Sequence, residues 1–204
     1  MHKLSLAVAI VAPLVAAPAL AADFSDKTWP CIQRKVPNLS IGQMWTGPLV
    51  DETVQADAET EVLASAIAVR RTTLEEAEAL VQRYAAGQEG DREEKLAILF
   101  REVFERINRE RSQVISGIAR YAAKQTGLSE RIDATQQEVA TLEAKADKSD
   151  DEWDRMEELQ DIATWDARIY TERAQSLTYV CETPVLLEKR AFALAKTVSE
   201  AGEE

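Results

Sequence analysis

Two cysteines, Cys31 and Cys181, and a single histidine, His2, are the only thiol and imidazole groups in this chain. What they can do depends on the residues in front of them. Met1, His2 and Lys3 form a short positive head, Leu4 to Val15 is apolar apart from Ser5 and Pro13, and Ala19-Leu20-Ala21 offers small residues for cleavage, which is the pattern of a secretory leader over residues 1–22. Cleavage near Ala22 or Asp23 would remove the histidine and deliver both cysteines to a compartment where thiols oxidise. A Cys31–Cys181 disulfide is therefore expected, closing a loop whose entropy is worth about 5 kcal/mol at most. No Cys-x-x-Cys context supports a redox pair instead.

Loss of the histidine excludes a histidine-based triad, a histidine-ligated zinc or copper site, and c-type haem attachment. Pairing of the cysteines excludes thiolate catalysis and thiolate metal sites. Neither a P-loop nor Gly-x-Gly-x-x-Gly occurs, so no cofactor is expected. Carboxylates remain. Counting twelve positions from Asp147 puts Asp147, Ser149, Asp151 and Glu158 at ligand positions of a calcium loop, but Glu152 stands where that loop needs glycine. Ser149 followed by Glu152 also has the form of a capping box, in which hydroxyl and carboxylate satisfy each other's free amides at a helix start. A metal-binding or ligand-binding sensor at this tip is one alternative function. A carboxylate hydrolase is a second, and it requires two acids converging in a pocket.

About 182 residues follow the leader, enough for one domain or one elongated helical body. Losing Lys3 takes the formal charge from −12 to −13, a balance that repels nucleic acid and anionic lipid. No second apolar stretch approaches the length of a membrane span. Prolines are absent from Asp51 to Thr183, and that stretch is rich in Ala, Glu, Arg, Leu and Gln, so the expected fold is all-α.

Residues 23–53 break the helical pattern. Trp29-Pro30-Cys31, Val36-Pro37-Asn38 and Thr46-Gly47-Pro48 punctuate them into an irregular strap, with room for one turn at Ser40 to Trp45. Two shorter helices are expected within residues 54–90, the first from Val54 to Val69 with Val62, Ala66 and Val69 near one face and Leu63 and Ile67 beside them, the second from Leu74 to Ala86 behind a Thr73–Glu76 capping box. From Asp91 the stripe Leu96, Phe100, Val103, Ile107, Val114, Ile118, Tyr121, Leu128, Ile132, Thr135, Val139, Leu142 and Ala146 crosses Gly127 in phase. The phase favours one helix from Asp91 to Ala146; a break at Thr126-Gly127 with Ser129 as cap is the alternative.

Past a tip at residues 147–151 the next helix carries Trp153, Met156, Gln160, Ala163, Ala167, Tyr170, Ala174, Leu177 and Cys181, and a second row of Leu159, Ile162, Trp165 and Ile169. Apolar on two sides, its middle is expected to lie between two neighbours. Thr183-Pro184 is expected to start a separate last helix to about Ser199, followed by a frayed acidic tail at 200–204. Two heptad segments joined by an acidic turn predict an antiparallel coiled-coil hairpin within residues 91–199, and so an elongated bundle with the strap held by one disulfide. Equal counting from the tip sets Cys181 opposite Gly117 and Ile118, where a small residue would leave room for the strap.

The expected role is non-enzymatic: an adaptor or structural component of a periplasmic or envelope complex, binding another protein whose surface is basic. Trp29, Arg34, Lys35 and Trp45 are the candidate contact residues, because the strap alone combines aromatic rings with local positive charge. Burial of both rings against the helices is the competing reading. Pairing of the long stripe between two chains, as a homodimer, is an alternative to pairing within one.

Overall fold

A computed structural model describes residues 26, 28–88 and 90–203. The proposed leader lies outside the described residues. Among the described residues four α-helices follow a 3-10 turn at Ile41–Gln43: α1 (Ala58–Ala68), α2 (Leu74–Ala86), α3 (Arg92–Glu143) and α4 (Asp150–Glu203). At about 1.5 Å per residue, α3 and α4 are each about 80 Å long and pack against each other as an antiparallel hairpin. The fold is all-α and elongated.

The hairpin is unevenly clothed. At its open end, α1 lies on α3 and α2 on α4. Leu63, Ile67, Val81, Leu96, Leu99, Phe100, Val103, Ile107, Leu187, Leu194 and Val198 meet there in the main core. Midway, Ile115 and Ile118 of α3 and Cys181 of α4 enclose Trp29 and Cys31 of the strap. Towards the tip, among the described residues, only the two long helices remain, joined by a small cluster of Val139, Leu142, Met156 and Leu159.

Helix α3 runs unbroken through Gly127, where an added Cβ would meet no atom within 4 Å. Glycine costs about 1 kcal/mol against alanine in a helix interior, less than the packing of the stripe on either side supplies. Both capping boxes form: Thr73 with Glu76 at the start of α2, and Ser149 with Glu152 ahead of α4.

Three expectations about the elements are overturned. Helix α1 begins at Ala58 rather than Val54, because Asp57 accepts the amide of Thr60 as N-cap, and its buried face is Thr60, Leu63, Ala64, Ile67 and Ala68, leaving Val62 70% exposed. No new helix starts at Pro184. Helix α4 continues through it and buries it, since proline removes one amide while Cys181 and Leu187 on either side stay anchored. The acidic tail is helical to Glu203, tied down by Ala201 at the core.

The middle of α4 also departs from expectation. Among the described residues only α3 packs beside it, so Trp165 is 63% exposed, and Trp153 and Ile162 are exposed as well. Between Leu159 and Cys181 the one buried α4 residue is Asp166, held by two 2.7 Å bonds from Arg131 of α3.

Candidate functional site

Apart from the 3-10 turn at Ile41–Gln43, residues 28–56 have no helix or sheet to absorb their main-chain carbonyls, so most of those groups must find donors elsewhere. Arginines on the long helices provide them. Arg111, 1% exposed, donates to the carbonyls of Val36 and Pro37 while its guanidinium pairs with Glu188 of α4 at 2.6 Å. Arg101 donates to Asp51 and Val54 at 2.8 and 2.6 Å. Arg190 of α4 donates to Ile67, Ala68 and Thr72, supplying from another element the cation that the C-terminus of α1 lacks. Burial, with Arg70 nearby, pushes the Arg190 guanidinium down from its ordinary value. None of these roles was read from the sequence. The one cue is Arg111, which falls at the stripe position between Ile107 and Val114.

The disulfide forms as expected: Cys31 and Cys181 are joined, with Cα atoms 5.5 Å apart, and fasten the strap to α4. Ile118 packs on the bridge. Gly117 does not make the room, since a Cβ there would touch nothing closer than Arg120 at 3.9 Å.

Two of the four candidate contact residues are buried within the chain itself. Trp29, 5% exposed, donates its indole N–H to the Gln33 carbonyl at 2.6 Å and lies in the cluster around the disulfide. Trp45, 7% exposed, stacks on Phe100 at 4.8 Å between ring centroids and donates to Pro48. Its ring folds over Gly47, where any Cβ would fall 2.5 Å from ring carbon Cζ2, so the turn requires glycine. Neither ring is available to a partner. Both are anchors, because an indole with one internal acceptor buries more area than the strap's other side chains.

Lys35 is half-buried. It pairs with Asp26 at 2.7 Å and lies 5.9 Å from the Trp29 ring. That lysine, together with the hydroxyl and amide of Thr28, holds the Asp26 carboxyl down to about 2. Arg34 and Ile32 are exposed.

Between strap and hairpin lies an open cleft of about 580 Å³ directly beside the disulfide. Ile32 and Gln33 form one wall, and Gln125, Tyr170, Leu177 and Glu182 line the helical side. The amide oxygens of Gln33 and Gln125 are buried in these walls with no hydrogen-bond partner among the described residues. Protein-family models, curated proteins and solved structures contain no match to this chain. The cleft's chemistry is therefore read from its own residues. It offers apolar walls and one rim carboxylate, a combination that suits a segment carrying apolar side chains and a positive charge.

At the tip, the four calcium-loop positions do not converge. Ser149 and Glu152 are engaged with each other, Lys145 pairs with Glu152, and Glu158 lies two turns into α4 on Arg155. Lys148 donates to the carbonyls of Glu143 and Lys145 at the end of α3 and sits 4.8 Å from the Trp153 ring centroid. Among the described residues, no three acidic, cysteine or histidine side chains come together as a metal set. Asp147 and Asp151 point into water at a helix start, where the dipole favours acids.

Proposed function

We propose that this protein is a non-enzymatic adaptor of a periplasmic or envelope complex, exported by its leader and binding a segment of another protein in the cleft beside the Cys31–Cys181 bridge. The cleft itself carries this reading: about 580 Å³, open to solvent, and walled by a strap that a disulfide and Arg111 hold against a coiled-coil-like hairpin. A rigid wall limits the ordering cost of binding. The contact residues move accordingly. Ile32, Tyr170 and Glu182, which line the cleft, take the part that the sequence assigned to Trp29, Lys35 and Trp45, while Arg34 is exposed beside the cleft without lining it.

The chain's charge of −12 and the rim carboxylate of Glu182 favour a basic partner segment. The test is a photo-crosslinking residue placed at Ile32 or Tyr170 in the native envelope, with Glu61 on the exposed face of α1 as control. The reading expects one discrete adduct from both cleft positions and none from the control. Capture no greater than the control at both would reject it.

A further inference from the structure

The distal arm of the hairpin concentrates the chain's negative charge. Residues 130–166 hold thirteen Asp and Glu against four Lys and Arg, a charge of −9 out of the chain's −12. On α4, steps of four, three and four lead from Asp154 through Glu158 and Asp161 to Trp165, so three acids and an indole stand in one line with Ile162 beside it. Trp165 is 63% exposed and Ile162 38%, and all three acids are exposed, while Met156, Leu159 and Asp166 on the other side are buried towards α3. Solvation accounts for the acids. It does not account for two large apolar side chains exposed next to each other among them, which is the mark of a contact surface.

We propose that this line docks a basic amphipathic helix of another protein, its lysines or arginines set against Asp154 and Asp161 and its apolar side chains over Trp165 and Ile162. Charge selects that occupant. A second copy of α4 turned antiparallel about Trp165 would set Glu158 level with Glu172, each seven residues from the ring, so the face repels itself. Anionic lipid and nucleic acid are repelled in the same way. A cationic helix meets opposite charge along the whole line.

The groups that would take the partner's cations are free to do so. Among the described residues Asp154 and Asp161 have no ion-pair partner, whereas Glu158 is paired with Arg155 and Glu172 with Arg168. The guanidinium of Arg168 stands 5.9 Å from the centroid of the Trp165 ring, so that ring already accepts a cation from its own chain. From Asp154 to Trp165 is about 16 Å along α4, which three turns of a partner helix would cover. This face is independent of the cleft, because it lies on the tip side of the disulfide and uses none of the strap.

The probe is a short synthetic helix of lysine and leucine at heptad spacing, with a glutamate-for-lysine peptide as its counterpart. Both are titrated into the disulfide-intact chain carrying Trp153→Phe, in which Trp165 is the exposed indole, since Trp29 and Trp45 are buried. A saturable one-to-one blue shift of the emission is expected with the lysine peptide and none with the glutamate peptide. Asp154→Asn with Asp161→Asn should weaken binding by about 5-fold, the effect of two exposed ion pairs. By calorimetry Trp165→Ser should weaken it by ~10-fold or more. Glu59→Gln with Glu61→Gln on α1 removes the same charge and should change nothing, as should Glu182→Gln at the cleft rim. All these side chains are exposed, so thermal melts should match the wild type. No shift with the lysine peptide would overturn the proposal, as would an equal loss from the α1 pair and the arm pair. A loss confined to Glu182→Gln would also overturn it, by placing the peptide in the cleft.

Discussion

Arg111 joins α3, α4 and the strap through one guanidinium, and its replacement should be the most disruptive change of a single charged residue here. Arg111→Met would leave the Val36 and Pro37 carbonyls without their donor and Glu188 without its cation. A broken buried pair costs about 3–5 kcal/mol. The expected result is a urea midpoint lowered to match, with faster amide exchange over residues 33–40. Arg111→Lys should not rescue it, since one ammonium cannot serve carbonyl and carboxylate in the same fork.

Asp57 tests the acid side of stability. The Lys95 ammonium, then the amide and hydroxyl of Thr60, hold its carboxyl well below the usual range. A folded value below the unfolded one means that the contribution is complete above about pH 4 and is lost as pH falls through the folded value. Asp57→Asn keeps the N-cap acceptor and removes the titration. Its stability should therefore fall less steeply than wild type on acidification below about pH 4, read from urea midpoints. At neutral pH the loss should stay below about 1 kcal/mol, because the ion pair is exposed.

At the scale of elements, two local costs are carried by long-range packing. Gly127 sits in mid-helix, exposed, with open space where a Cβ would go. Gly127→Ala should stabilise the chain by about 0.5–1 kcal/mol, visible as a higher melting temperature. Pro184 costs about 3 kcal/mol as an interior helix residue. Pro184→Ala would restore a backbone donor but give up two buried methylenes at about 0.8 kcal/mol each, so the helix term should win by about 1 kcal/mol in the same melt.

The contrast between these two residues shows what was legible. The heptad phase across Gly127 predicted continuity correctly, because a row of apolar residues on both sides is a stronger statement than one weak helix former. At Thr183-Pro184 the local signal for a helix start was good, yet α4 runs on. Cys181 is fixed to the strap and Leu187 to the core, so the chain between them has no freedom to turn away. The Thr73 and Ser149 caps were legible for the opposite reason: their partners lie within three residues.

For the whole molecule, the uneven clothing of the hairpin makes its two ends respond differently. Replacing both cysteines, Cys31→Ser with Cys181→Ser, should lower stability by up to about 5 kcal/mol. Residues 28–40 should lose nearly all amide protection, while Leu99, Val103 and Leu194 in the main core stay protected and lose no more than the fall in global stability, measured by hydrogen exchange. The strap is the more exposed because the main core packs without a strap cysteine.

Sequence alone determined the helical class, the two long arms, the capped tip and the cysteine pairing. These follow from periodicity, near-neighbour hydrogen bonds and the count of thiols, all of which are properties of short windows or of composition. Only the tertiary structure decided that Trp29 and Trp45 face inward, that Arg101, Arg111 and Arg190 hold carbonyls of distant segments, and that Trp165 faces out. Indole and guanidinium groups each have an apolar body and a polar edge, so their own chemistry suits core and surface equally. Which side they take depends on whether a distant backbone brings the matching carbonyl or covering helix, and no local pattern encodes that.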